Sequence, residues 1–349
     1  MKPKKPEINI AGRRIGEDYP PLVIAEIGIN HEGSVAKARK MVDDAVAAGC
    51  ECVKFQAHVI EDEMIYNGVV PANAKESIWN IMVRCALSEE GDKELKAYTD
   101  KKGMIYLSTP FSREAADRLK RMKVGAYKIG SGECNNYPLV EYIAGFGKPV
   151  ILSTGMNNIN SIRKSVKILE QNKVQYALLH CTSMYPTPPG KIRLGALAEL
   201  KKHFPNAVLG LSDHSFTIFP CLAAVALGAS ILERHFTSDK DWPGPDIAIS
   251  MDPGELRQLI TGSRIIHSAS GGSKTILKEE QPTIDFAYAC VVAIRDIDAG
   301  EKLTKENIWV KRPGTGEIKA GHLSALLGKK AKCCIKKNRQ LKWEHVYEK

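Results

Sequence analysis

Two histidines close two short apolar runs of the same form, Gly210-Leu-Ser-Asp-His214 and Ile231-Leu-Glu-Arg-His235. They stand 21 positions apart, and the Ala-rich stretch 216–229 between them is long enough for one helix. A strand, a helix and a parallel strand bring both strand ends to one edge of a sheet. Side by side, two neutral imidazoles with Ser212, Asp213 and Glu233 nearby suit a divalent ion such as Mn²⁺, Fe²⁺ or Zn²⁺. The plainer reading is two histidines that only hydrogen-bond at strand ends. Other groups decide between the two: Glu26, Lys54, Gln56, Ser108, Thr109, Lys128, Ser131, Ser153, Thr154, His180 and Thr182 also close apolar runs. Two lysines with hydroxyls from Thr109, Ser131, Ser153 and Ser212 make a cradle for a phosphate and a carboxylate. The histidine pair would supply a Lewis acid with open positions, and Glu26 a general base or acid. Together they suit carbon–carbon bond formation between a phosphorylated enol acid and a carbonyl.

These groups need elements to position them. Eight strand-like runs are expected at 21–28, 50–57, 104–110, 126–132, 149–155, 176–182, 207–214 and 230–236. Helical patterns at 34–48, 88–101, 112–122, 137–144, 159–171, 195–203 and 216–227 separate them, and 253–269 follows the last. Several open on Ser, or after Asn and Pro, as helix starts do. Near-continuous apolar strands alternating with amphipathic helices predict a parallel sheet covered on both faces, and eight such units a (β/α)₈ TIM barrel. The competing doubly wound sheet would carry a Gly-rich dinucleotide turn, which Glu26-Ile-Gly-Ile-Asn-His-Glu-Gly33 does not match. A small hairpin around Gly12 precedes the barrel, and residues 58–87, with a helical piece at 75–85, read as a lid after strand two. The expected division is a catalytic barrel at 1–270, a linker at 271–286 and a small, mostly β domain at 287–349.

Composition excludes some functions. The chain has 349 residues, 44% of them hydrophobic, without a run of membrane-span length or an apolar core after Met1 for a signal peptide. The net charge is +10, but the lysines are scattered, which argues for an anionic small substrate and against nucleic acid. Nine cysteines without metal-ligand spacing, with Cys52, Cys181 and Cys290 in apolar runs, read as buried thiols in a reducing cytoplasm.

Several stretches carry a resemblance. Ile24-Ala-Glu-Ile-Gly-Ile-Asn-His-Glu-Gly33, Ser108-Thr-Pro-Phe-Ser112, Tyr127-Lys-Ile-Gly-Ser-Gly-Glu-Cys-Asn-Asn-Tyr-Pro138, Leu152-Ser-Thr-Gly-Met156, Tyr185-Pro-Thr-Pro188 and Leu211-Ser-Asp-His214 are similar to the bacterial sialic acid synthase family, with its legionaminic and pseudaminic relatives. The tail, with Trp309-Val-Lys-Arg-Pro-Gly314, resembles that family's antifreeze-like (SAF) domain. The resemblance implies condensation of phosphoenolpyruvate with N-acetylmannosamine and water, releasing phosphate. It implies that Lys54, Thr109, Lys128, Ser131, Ser153, Ser183 and Ser212 hold phosphoenolpyruvate. His214 and His235 would hold Mn²⁺ in the first place, with Mg²⁺ or Co²⁺ as alternatives, and Glu26 with Gln56 would handle protons. Asn73, Tyr185, Asp246 and Arg312 would hold the sugar, Arg312 across a domain-swapped homodimer. Two departures are Phe55, expected to point outward, and Ser183, where those relatives usually carry Asn. The second leaves a 2,4-diacetamido-2,4,6-trideoxyhexose as the alternative sugar. Two rivals of other classes are an aldolase forming a Schiff base through Lys128 or Lys54, and a sugar- or ice-binding module.

Overall fold

Ser34, Ser88 and Ser112 each accept a hydrogen bond from a backbone N–H three residues on and so start the helices Val35–Ala47, Glu89–Lys101 and Arg113–Arg121. Asn158 and Asp252 start Ile159–Gln171 and Pro253–Ala269 with reciprocal capping boxes. These helices belong to a computed structural model that describes residues 5–66, 68–71 and 74–347. Asn73 lies outside the described residues. The chain divides into two compact units, residues 1–271 and 272–349.

The first unit opens with an antiparallel hairpin, β1 (Glu7–Ile10) and β2 (Arg13–Gly16). Eight parallel strands follow: β3 (Leu22–Gly28), β4 (Cys52–Ala57), β5 (Ile105–Pro110), β6 (Tyr127–Ile129), β7 (Val150–Ser153), β8 (Tyr176–Cys181), β9 (Val208–Asp213) and β10 (Ile231–His235). Their order is β5-β4-β3-β10-β9-β8-β7-β6, and β5 packs beside β6, so the sheet is a nearly closed TIM-type barrel. Every expected strand is present, and the helices fall where the pattern placed them, the tenth-strand connection shortened to Phe219–Ala226.

Alternate strand residues build two different cores. Val23, Ala25, Val53, Phe55, Leu152 and Leu211 pack outward with the helices. Phe55 does point outward, stacked on Tyr106 at 5.3 Å. Leu22, Ile24, Cys52, Leu107, Ile151, Ala177, Leu179 and Ile231 fill the barrel together with Ile8, Ile10 and Ile15 of the hairpin. The hairpin thus seals the end where the strands begin, leaving the other end for chemistry. In the long excursion after β4, the turn Ile60–Glu63 and the helix Ile78–Cys85 are formed.

The second unit contains a 3-10 turn Lys278–Glu280 and a helix Gln281–Ala287 in the stretch read as linker. Its antiparallel pair is β11 (Cys290–Ala293) and β12 (Ile308–Lys311). Elsewhere in this unit Lys302, Ala331 and Ile335 take part only in isolated bridges. Val291, Ile297, Leu303, Ile308, Ile318, Leu326, Ile335 and Leu341 form a separate small core.

Candidate active site

On the barrel interior each strand changes character near its end. Ile24 is followed two positions on by Glu26, Cys52 by Lys54, Leu107 by Thr109, Ile151 by Ser153, Leu179 by Cys181 and Ile231 by Glu233. These polar side chains are buried, yet they line a cavity of about 330 Å³. The cavity gathers Glu26, Lys54, Gln56, Thr109, Lys128, Ser131, Ser153, Ser183, Tyr185, Ser212, His214 and His235, so twelve of the residues singled out from sequence meet in one place. Asp246 lines an adjoining cavity shared with Gln56, Ser183, Tyr185 and His235. Arg312 follows β12 in the second unit, in a groove with Lys311, Arg339 and Lys342.

Other residues at strand ends face away. Ser108 is fully buried and Thr154 donates to Leu179 O at 2.9 Å. Thr182 donates to Lys191 O at 2.9 Å, and His180 bonds to Ile192 O at 2.7 Å. Asp213, counted from sequence as an oxygen donor near the imidazoles, is turned to the outside of β9, where it pairs with Arg234. Adjacent strand residues face opposite sides, so Asp213 cannot share a face with Ser212 or His214.

The two lysines do not wait as free cations. Lys54 Nζ lies 2.7 Å from Glu26 Oε2 and 3.8 Å from Glu233 Oε1, and donates to Thr109 Oγ1 at 3.2 Å. Lys128 Nζ donates to Ser153 Oγ at 2.7 Å and lies 3.6 Å from Glu233 Oε1, which also accepts from Ser212 Oγ at 3.2 Å. Glu233, read from sequence only as a donor to a metal, is the carboxylate shared by both ammonium groups. Burial pushes Lys128 below the ordinary lysine value, against the pull of Glu233. Burial also acts to lower Lys54, but Glu233 and Glu26 together lift it above that value. Burial raises Glu26, with Glu233 adding to the rise and Lys54 opposing it.

Glycines keep two contacts open. Gly28 has φ +54°, and a Cβ there would come within 3.1 Å of Glu26 Oε1 and 3.4 Å of Gln56 Nε2. A Cβ on Gly155 would meet Ser183 Oγ at 2.4 Å and Ser131 Oγ at 2.8 Å, filling the floor between the two serines. Cys181, Phe111, Glu133 and Met156 also line the cavity and were not singled out as binding residues. For Cys181 the signal was its parity with Leu179 on β8.

The imidazoles are neighbours: the rings of His214 and His235 are 5.5 Å apart, with the Tyr185 ring 4.2 Å from His214 and 6.1 Å from His235. His214 Nδ1 faces Thr182 O at 3.1 Å, so in the neutral ring the proton sits on Nδ1 and Nε2 keeps a lone pair. His235 Nδ1 is buried without a hydrogen-bond partner, 3.8 Å from Asp246 Oδ2. Burial holds His235 well below the usual histidine value, in the neutral form a metal ligand requires. Burial also pushes Asp246 up to about 6, with His214 pulling the other way. Among the described residues no three His, Cys, Asp or Glu side chains cluster tightly enough to hold an ion alone. An ion held by the two imidazoles would need substrate or water to complete its ligands.

Comparison with known proteins places this geometry. The model of the NeuB family matches residues 41–275, and that of the SAF domain matches residues 288–346. The chain belongs to the NeuB family. An uncharacterised protein of Methanocaldococcus jannaschii is 40% identical over 93% of this chain and 94% of its own length. The N,N'-diacetyllegionaminic acid synthase of Campylobacter jejuni is 38% identical over 88% of this chain and 95% of its own. The crystal structure of the sialic acid synthetase of Leptospira borgpetersenii superposes with a TM-score of 0.74 at 34% identity, over 80% of this chain and 95% of that one. This NeuB-family protein is an enzyme, and several of its relatives, including those of Campylobacter jejuni and mouse, are named as nonulosonate synthases. That membership sets aside the non-enzymatic module.

Proposed function

We propose that the protein condenses phosphoenolpyruvate with an N-acetylated amino sugar and water, forming a nonulosonic acid and releasing phosphate. One observation carries this reading: two buried ammonium groups and two facing imidazoles share a single cavity. Lys54 and Lys128, with Thr109, Ser131, Ser153, Ser183 and Ser212, bind the phosphate and carboxylate of phosphoenolpyruvate. His214 and His235 would hold Mn²⁺ or a similar ion, which would supply a Lewis acid for the sugar aldehyde. C3 of phosphoenolpyruvate then bonds to the aldehyde carbon, whose oxygen takes a proton and becomes a hydroxyl. Water adds at C2 and gives up a proton. The C2–O bond to phosphate breaks, phosphate leaves with the bridging oxygen, and the ketone forms. Glu26, with Gln56 beside it, moves protons at the reacting sugar end. Tyr185, Asp246 and Asn73 hold sugar hydroxyls. Arg312 of a second copy reaches the N-acetyl group in a domain-swapped homodimer.

The motifs favour N-acetylmannosamine as the sugar. A second reading rests on the adjoining cavity, walled by Ile29, Pro71, Ile78, Met82, Met184 and Pro245. A 2,4-diacetamido-2,4,6-trideoxyhexose would set its C6 methyl and acetamido methyls against these side chains. A buried hydroxyl without a partner costs about 1–3 kcal/mol, so the 6-hydroxyl of N-acetylmannosamine must find a donor or acceptor there. The test is turnover of phosphoenolpyruvate with each sugar and Mn²⁺ in H₂¹⁸O. Phosphate free of ¹⁸O and a nonulosonate carrying it at C2 are expected. Absence of product with either sugar overturns the function, and the larger kcat/KM names the sugar.

A further inference from the structure

His58 does not line the cavity, yet it ends a line of side chains that does. Its Nε2 lies 3.0 Å from Gln56 Oε1, and Gln56 Nε2 donates to Glu26 Oε1 at 3.4 Å. On the other side His58 Nδ1 lies 2.7 Å from Glu63 Oε2. The ring is buried and stacked on Phe111, centroids 4.6 Å apart and planes at 11°. The ring thus bridges the Glu63 carboxyl group and the Gln56 amide. Glu63 belongs to the turn Ile60–Glu63, the first turn of the excursion after β4. Asp62 in the same turn accepts from Glu114 N at 2.9 Å, which ties the turn to the start of helix Arg113–Arg121.

We propose that His58 is a positioning residue for the condensation: held by Glu63 and stacked on Phe111, it fixes the Gln56 amide so that its nitrogen orients the Glu26 carboxylate. The first turn of the excursion thereby sets the group that moves protons at the sugar end. The proposal rests on the function given above. Its consequence is a split in kinetics. Of the two cradle lysines, Lys54 meets this line only at Glu26 and Lys128 bonds elsewhere, so losing His58 lowers kcat by more than it raises the KM for phosphoenolpyruvate. A misaligned proton-transfer group costs about tenfold or more in rate.

The experiment is a double-mutant cycle with purified full-length protein. H58A and Q56A are each expected to lower kcat about tenfold, and H58A/Q56A to be no slower than Q56A alone. H58Q, whose amide nitrogen reaches the place of Nε2, should recover part of the rate. E63A should show the same non-additivity with Q56A, and it decides the matter if H58A does not fold. Multiplying losses, or a loss confined to the KM for phosphoenolpyruvate, overturn the proposal. Wild-type protein inactive on both sugars sinks the proposed function instead. The structural claim is then read without turnover, from crystals of E63A or H58A. A Gln56 side chain displaced from Glu26 supports it, and one left in place refutes it.

Discussion

Replacing Arg234 with Met tests how the two imidazoles are held. Arg234 and Asp213 each precede one histidine of the pair, and their side chains are 2% and 1% exposed. The guanidinium donates to Asp213 Oδ2, to Ser215 Oγ at 3.2 Å, to Ser215 O at 2.7 Å and to Thr217 O at 2.6 Å. It therefore ties β9 to β10 and both to the loop after β9. In Arg234→Met the methionine keeps most of the bulk and removes every donor. Asp213 is left with Ser215 N at 3.1 Å and Ser215 Oγ at 2.8 Å, and two carbonyls lose their partner. Breaking a buried ion pair from one side costs about 3–5 kcal/mol, because the remaining charge stays buried. For a domain of this size each kcal/mol moves the melting temperature by about 2–4 °C, so a fall of roughly 10 °C in the barrel transition is expected. Calorimetry reads the fall, and steady-state kinetics on the same samples reads the imidazoles, with kcat dropping as their alignment loosens. Adding Asp213→Leu removes the stranded carboxylate and should return most of the melting temperature. A fall below about 3 °C, or a double variant no better than the single, refutes the reasoning.

Three further outcomes are expected. Burial pushes Asp92 up to about 6, above the ordinary aspartate value, against the pull of Arg118 at 2.8 Å. Its Oδ1 has no hydrogen-bond partner. A carboxyl raised in the folded state favours folding below its unfolded pKa and loses that contribution as pH rises through the folded one. Wild-type stability relative to Asp92→Asn should therefore fall by about 1–3 kcal/mol between pH 4 and pH 6.5, read by urea unfolding. Lys128→Met removes an ammonium from the cradle, and the KM for phosphoenolpyruvate should rise about 10–150-fold, with sugar KM less affected. Dialysis against a chelator should abolish condensation and Mn²⁺ restore it, while His235→Ala should retain no ion by elemental analysis. Full activity after exhaustive chelation would remove the metal from the mechanism.

The sequence of strands and helices was legible because burial on both faces leaves its mark locally. Runs such as Leu22–Gly28 are apolar along their length, and the helices between them open on Ser34, Ser88 and Ser112. A cap or an apolar run acts over a few residues, so a linear pattern carries it. The second unit was less legible, since its bridges, such as Ile297 to Ile335 and Ala331 to Val346, join residues far apart in runs too short to show a period. His58 was equally open from sequence. A histidine next to a strand end packs or binds according to what comes back to meet it, and here Glu63 and Phe111 do.

Local pattern alone determined the barrel strands, the cluster of polar groups at their ends and the pairing of His214 with His235, because each follows from periodicity and chain direction. Tertiary closure decided which of two adjacent polar residues enters the cavity: Ser212 and not Asp213, Thr109 and not Ser108. It also decided that Glu233 sits between Lys54 and Lys128. Alternation states that neighbours face opposite ways, but inside and outside exist only once the sheet curls round on itself. The fields on Lys128, Glu26 and His235 come from charges that converge from different strands. Distance in space sets those fields, and position along the chain does not encode it.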